Sequence, residues 1–255
     1  MNSVASFFSL KEYTKNYYRK IRRNISKDKE HINSKVDIIN WLGEQYGYTS
    51  YLQISTYTTG GFYDKISSNL YSVKECLNYF PDNGLFNDVN EASVTKDHFV
   101  KMKTYECALE TVKKKHQAFD VIFVDSFHTF DQTNKDLLVA LSLLKDNGVI
   151  IVHDCYPKQK KFIGNTWQTG TWLGQTYESF INFRVQYPAF ETAVVNIDYG
   201  CGIIRPSRDA FNPIQLPQLE NTDRFADWSY FSKHAHELLN LISVKQFKEY
   251  YSKID

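Results

Sequence analysis

Two apolar runs that end in carboxylates constrain this 255-residue chain more than any other feature. The first is Phe119-Asp-Val-Ile-Phe-Val-Asp125. The second, over residues 149–154, is Val-Ile-Ile-Val-His153-Asp154. Short, nearly continuous apolar runs of this kind are strands buried on both faces. Between them, residues 136–144 (DLLVALSLL) carry a helical period, and Asn147-Gly148 reads as a turn. Strand, helix and strand with such short connections imply a parallel pair with a right-handed crossover.

The segments before and after extend that unit. Tyr51-Leu-Gln-Ile-Ser55 reads as a strand that runs into Thr56-Tyr-Thr-Thr-Gly60-Gly61 and a helix beginning near Phe62, the opening of a nucleotide-binding βαβ unit. A helix is expected from Val36 to Gly47, with Gly43 a weak point inside it and Gly47 its stop. Two further strands are expected over 72–77 and 90–94. Residues 192–197 and 202–205 flank Asp198-Tyr-Gly-Cys-Gly202 as an antiparallel hairpin at the sheet edge. A polar connection follows over 206–222, and one last helical region spans 228–250. The expected fold is α/β and Rossmann-like: a mostly parallel sheet with an antiparallel edge hairpin and helices on both faces. The expected organisation is an N-terminal helical extension over 1–35, then a single domain over 36–255 with its core at 50–157 and a substrate or edge region at 158–255.

Composition narrows the class. Thirty basic and 29 acidic side chains leave a net charge of +1, so no global field draws the chain to nucleic acid, and a small acceptor fits better. The hydrophobic share of 42% supports a buried core. Cys76, Cys107, Cys155 and Cys201 form no CxxC pair and read as buried thiols in a reducing compartment. No run of about 18 apolar residues exists to span a bilayer, and the N-terminal apolar run is too short for a signal peptide. A cytoplasmic enzyme is expected, with homo-oligomers left open. The basic cluster Lys20, Arg22 and Arg23 reads as the solvated face of an N-terminal helix.

Open α/β sheets bind ligands at the carboxyl ends of their parallel strands. Asp125, His128, His153 and Asp154 all fall at that edge. Two carboxylates and two imidazoles held together there cost desolvation unless a metal, a substrate proton or mutual pairing offsets it. A strand-end Asp also serves to cap the next helix, but that does not account for all four.

The spacing DxxH, then a helix, then an apolar strand ending in HD, resembles the metal-dependent class I S-adenosylmethionine O-methyltransferases that modify sugars in macrolides and bacterial glycans. The resemblance runs from Tyr51 to Pro157 and continues more loosely through Trp172-Leu-Gly-Gln-Thr-Tyr177 and Asp198-Tyr-Gly-Cys-Gly202. It implies transfer of a methyl group from S-adenosyl-L-methionine to a sugar or glycan hydroxyl, as in capsule or O-antigen polysaccharide biosynthesis. By the same resemblance Asp125, His153 and Asp154 hold a divalent metal and His128 is the general base. Magnesium prefers oxygen ligands, so a histidine at 153 either weakens the metal assignment or shifts it from magnesium toward manganese or another transition ion. A base must be neutral, and an imidazole titrates at about 6.5 if unperturbed and lower beside a cation.

The cofactor would lie against Gln53, Ser55, Thr56, Gly60, Gly61, Asn78, Asp97 and Asp125, with Asp82 a further candidate for the ribose. Gln53 and Ser55 stand where the family has an acidic residue and a glycine, and Gln53 cannot neutralise a cationic amino group. That departure motivates the alternative of a catalytically inactive Rossmann module serving as a scaffold or partner subunit. A non-haem iron site of two histidines and one carboxylate is a third reading. His234 and His236, two apart on a helix, point to different faces. Trp167 and Trp172 could cover a sugar ring but suit packing equally, and Lys158, Lys160 and Lys161 read as a solvated charge run.

Overall fold

The structure, a computed structural model, describes residues 32–55, 63–78, 100–101, 105–116, 118–125, 127–207 and 226–252. The chain divides into two compact units, Met1–Asn33 and Ser34–Asp255; the account below concerns the second. Outside the described residues lie the expected strand over 90–94, the glycine turn over 56–61, the helix start near Phe62, Asp82, Asp97, Cys107's side chain, most of the 206–222 connection, and the N-terminal helix up to residue 31.

The unit opens with α1 (Lys35–Tyr46), started by a capping box between Ser34 and Asp37 and stopped by Gly47 at φ 66°. Strand β1 (Ser50–Ser55) follows, then β2 (Val73–Asn78) and β3 (Val100–Lys101). Helix α2 (Tyr105–Lys115) leads to β4 (Phe119–Asp125), α3 (Phe130–Ser142) and β5 (Leu144–Val152). A 3₁₀ turn at Lys160–Phe162 precedes α4 (Thr176–Gln186), the strands β6 (Phe190–Val195) and β7 (Cys201–Pro206), α5 (Trp228–Leu239), β8 (Leu241–Ile242) and α6 (Val244–Tyr251). The sheet order is β3-β2-β1-β4-β5-β7-β6-β8. Strands β3 to β5 are parallel, β7 runs antiparallel to both β5 and β6, and β8 is parallel to β6. The expected mostly parallel sheet with an antiparallel hairpin is therefore present.

Strand pleating gives the two faces different chemistry, because alternate residues point to opposite sides. On one face Leu52, Ile54, Leu77, Ile122, Val124, Ile150, Val152, Val194 and Ile204 form the apolar core with Val112 of α2, Leu137 and Ala140 of α3, Phe180 of α4 and Phe231 of α5. Each such side chain stabilises the fold by about 1.5–3 kcal/mol through burial. The other face carries Tyr51, Gln53, Ser55, Cys76 and Phe123, all buried, and is covered by α1. The Tyr71 hydroxyl donates to the carbonyl of Ile39, and a Cβ on Gly43 would lie 2.6 Å from that hydroxyl oxygen. Gly43 is thus a close-approach glycine rather than only a weak point. Cys76, Cys155 and Cys201 are buried free thiols, as expected.

Several boundaries differ from the sequence reading. Helix α3 begins at Phe130, six residues before the apolar stretch that announced it. Asn147-Gly148 does not precede β5 but lies within it: Phe119 pairs with Leu144 and Val121 with Val149, so residues 145–148 bulge out. A Cβ on Gly148 would meet the Asp120 carbonyl oxygen at 2.9 Å, which explains the glycine. Residues 64–70 are turns, tied down by the Ser67 amide donating to Asn40 Oδ1. The last helical region is split, because Asn240 adopts φ 46°, β8 pairs with β6, and a second capping box between Ser243 and Gln246 starts α6.

Arg184 of α4 joins the two halves of this C-terminal region. Its guanidinium is buried and donates to Thr192 Oγ1 at 2.8 Å and to the carbonyls of Glu237 (3.1 Å) and Leu238 at the end of α5; burial draws its pKa down to about 10. Arg184→Leu strips three acceptors of their donor and is expected to cost about 2–4 kcal/mol. Thermal melts should show a midpoint lowered by roughly 5–15 °C, and an unchanged midpoint would refute this account.

Candidate active site

The carboxyl ends of β1, β4 and β5 meet the start of α1 and the β6–β7 turn. In register, Ser55 of β1 lies beside Asn78 of β2 on one side and Asp125 of β4 on the other. Asp125 ends β4, His128 follows three residues on, and His153-Asp154 directly follows β5. Asp154 adopts φ 60°, a left-handed conformation costly for a residue with a side chain; it faces Asp154 toward His128.

The four side chains named from sequence come together. His128 Nε2 lies 3.3 Å from Asp125 Oδ1 and 3.5 Å from Asp154 Oδ2. Its Nδ1 donates to the carbonyl of Trp172 at 3.0 Å, which fixes the ring and leaves Nε2 as the working atom. His153 Nδ1 lies 3.1 Å from Asp154 Oδ1 and 3.5 Å from Asp125 Oδ1.

Two groups that sequence reasoning missed complete the cluster. Lys35, the first residue of α1, places Nζ 3.2 Å from Asp125 Oδ2 and 3.2 and 3.3 Å from the two ring nitrogens of His153. Asp198, in a β6–β7 turn where Asp198, Tyr199 and Gly200 all have positive φ, approaches His153 Nε2 at 3.5 Å and accepts from the Lys35 amide at 3.2 Å. The signals were available: Ser34-Lys-Val-Asp37 is a capping box that places Lys35 at a helix start, and Asp-Tyr-Gly is a turn that aims a carboxylate.

Burial alone would raise the Asp125 pKa, but the charge of His153, hydrogen bonds from His128 and His153, and the Lys35 ammonium hold it well below the usual carboxylate range. Asp198 is held at about 2, mainly by its hydrogen bond from His153, against the effect of burial. Lys35 titrates higher than an ordinary lysine: burial would lower it, but the charges of Asp125, Asp198 and Asp154 outweigh burial, so it is an ammonium at neutral pH. His128 is raised because its hydrogen bond with Asp125 and the charge of Asp154 overcome burial. The ring is therefore perturbed by its carboxylate neighbours, in the upward direction. His153 is raised further, its burial outweighed by Asp125 and Asp154.

As a metal site, Asp125, His128 and Asp154 each offer a ligand atom, and these atoms lie within 4.8 Å of one another. A divalent cation can be bridged by such a mixed nitrogen and oxygen set. The set has the number and spacing of a metal site, but the Lys35 ammonium already occupies one of its oxygens, 3.2 Å from Asp125 Oδ2, and a second cation there is opposed by that charge.

The cofactor residues are less open than expected. Gln53 Oε1 accepts from the Tyr51 hydroxyl at 3.2 Å, and Gln53 Nε2 donates to Ser55 Oγ at 3.1 Å. Both side chains are buried along β1, so Gln53 belongs to an internal relay rather than to an exposed edge. Thr56, Gly60, Gly61 and Asp97 lie outside the described residues, as does the side chain of Asn78. Trp172 packs its ring against Phe127 and His128, with centroids 5.3 and 5.5 Å away, while Trp167 is exposed. His234 lies on α5 beside Tyr230 and Glu237, away from the cluster. Among the described residues no helix is long and apolar enough to cross a membrane.

Residues 64–155 match the family model of a methyltransferase domain. No curated protein matches significantly. Similar solved structures include an O-methyltransferase from Bacillus cereus in complex with S-adenosylhomocysteine (19% identity, 72% of this chain and 86% of that one, TM-score 0.45). A methyltransferase from Podospora anserina bound to the same molecule shares 18% identity over 71% of this chain and 81% of its own, with TM-score 0.43. MycE, a methyltransferase from the mycinamycin biosynthetic pathway in complex with Mg, S-adenosylhomocysteine and mycinamycin VI, shares 10% identity over 66% and 47%, with TM-score 0.42. Residues 64–155, a stretch shorter than half of the chain, are thus similar to a methyltransferase domain, and they lie within a mostly parallel sheet that carries an antiparallel pair.

Proposed function

We propose that the chain transfers the methyl group of S-adenosyl-L-methionine to a hydroxyl of a small acceptor, a sugar or glycan hydroxyl being the class that the sequence resemblance favours. The observation that carries this reading is His128, whose ring is pinned by the Trp172 carbonyl so that Nε2 points into the carboxylate pair at the ends of β4 and β5. The acceptor oxygen attacks the methyl carbon of the sulfonium in line. A carbon–oxygen bond forms, the carbon–sulfur bond breaks with its electron pair going to sulfur, and the hydroxyl proton passes to His128 Nε2. The sequence resemblance assigns Asp125, His153 and Asp154 to a divalent cation, but Lys35 Nζ stands 3.2 Å from both Asp125 Oδ2 and His153 Nδ1, so the positive charge beside the base is the lysine's. The adenosyl moiety is assigned to the ends of β1 and β2, at Ser55 and Asn78, and to the loop carrying Thr56, Gly60, Gly61 and Asp97.

Titration calorimetry with S-adenosylmethionine and S-adenosylhomocysteine, followed by a panel of sugar and nucleotide-sugar acceptors read by S-adenosylhomocysteine release, tests the proposal. Binding of both is expected, and absence of both removes it. The Gln53–Ser55 hydrogen bond, which draws inward two groups expected at the cofactor edge, favours a second reading as an inactive scaffold. An adenosyl ligand co-purifying with the protein would eliminate that reading.

A further inference from the structure

We infer that Lys35 is the built-in cation of this site, its ammonium standing at Asp125 in place of a divalent ion and holding such ions off. The inference rests on the methyltransferase reading for its meaning, but its geometry is independent of it. Three carboxylates, Asp125, Asp154 and Asp198, converge on two imidazoles, and Lys35 is the lysine among them, 3.2 Å from Asp125 Oδ2.

Its placement is built in at both ends. The capping box of Ser34 and Asp37 fixes the first turn of α1, and the Lys35 amide donates to Asp198 Oδ2, so the backbone from which the side chain departs is tied to the same cluster that receives its ammonium. Buried Ile38, Ile39 and Leu42 hold the rest of the helix. Nζ also stands against both ring nitrogens of His153, the side chain that the sequence resemblance assigned to a metal. A divalent ion on Asp125 and His153 would therefore meet an ammonium a few ångströms away, and like charges at that range repel strongly in a partly desolvated cleft. With the positive charge supplied by the chain, His128 Nε2 is left to take a proton instead of binding metal.

The test is Mn²⁺ binding to the intact chain, followed by calorimetry and by the electron paramagnetic resonance signal of free Mn²⁺, neither of which requires turnover. Lys35→Met is expected to bind Mn²⁺ about 10- to 100-fold more tightly than the unaltered protein, Lys35→Arg no more tightly than it, and Lys35→Met with Asp125→Asn is expected to lose the gain. Should Lys35→Met melt far below the parent, Lys35→Gln, which keeps a polar group at the same reach, is judged by the same comparison. Equal affinity in parent and charge-free variants, whether both bind or neither does, overturns the inference. Titration of the same samples with S-adenosylmethionine separates the two ideas, because a chain that binds no cofactor would fail the methyltransferase reading while the Mn²⁺ comparison still stands or falls alone.

Discussion

Replacing His128 with alanine is expected to lower kcat by about 10²- to 10⁴-fold, the usual contribution of a general base, with little change in affinity for S-adenosylmethionine. The affinity should hold because His128 meets Asp125, Asp154 and the Trp172 carbonyl, not the β1 edge assigned to the cofactor. The pH profile carries the sign. Asp125 and Asp154 favour the protonated ring, so its pKa in the folded protein lies above the ordinary histidine value. Only the neutral ring accepts a proton, so kcat should be low at acidic pH, rise through that elevated pKa, and level off above it. His128→Ala should flatten the rise. Retention of most activity by His128→Gln, which can still bond Asp125, would mean that the ring merely holds the loop.

What the sequence made legible was the pattern that pleating and burial impose. The runs ending at Asp125 and Asp154 could only be central strands, and the parallel-sheet rule then placed Asp125, His128, His153 and Asp154 at one edge, where the structure also has them. Lys35 and Asp198 were hidden for a physical reason. Each reaches the site from a different direction, one from a helix that crosses over the sheet and one from a turn between antiparallel strands, and a periodicity argument carries no information about such long-range meetings. The six-residue error at the start of α3 has a similar cause. Its first turn, Phe130 to Thr133, is mostly polar, and it is fixed by tertiary bonds such as that from Ser179 Oγ to the Phe130 carbonyl. Asn240 and the Ser243–Gln246 capping box were readable as a helix break, but the strong helical pattern on both sides masked them.

Gly174→Ala should damage the site from outside it. Gly174 has φ 58°, and a Cβ built there would lie 2.0 Å from the His128 carbonyl oxygen and 2.7 Å from His128 Cβ. No rotamer relieves a clash with backbone, so the 172–175 segment or the His128 loop must move. Both bonds that pin His128 are at risk, since the Gln175 amide donates to the His128 carbonyl at 2.6 Å and the Trp172 carbonyl accepts from Nδ1. The strained backbone and the overpacking together should cost about 2–4 kcal/mol. Displacing the base by about an ångström should lower kcat about 10²-fold. Gly170→Ala is the control: its φ of 88° is as unfavourable for a side chain, but nothing lies within 4 Å of the added Cβ, so it should lose only about 1 kcal/mol and keep its activity. Melting curves and kcat on both variants decide the matter. Equal losses would show that backbone strain alone matters here and that the approach of Gly174 to His128 does not position the base.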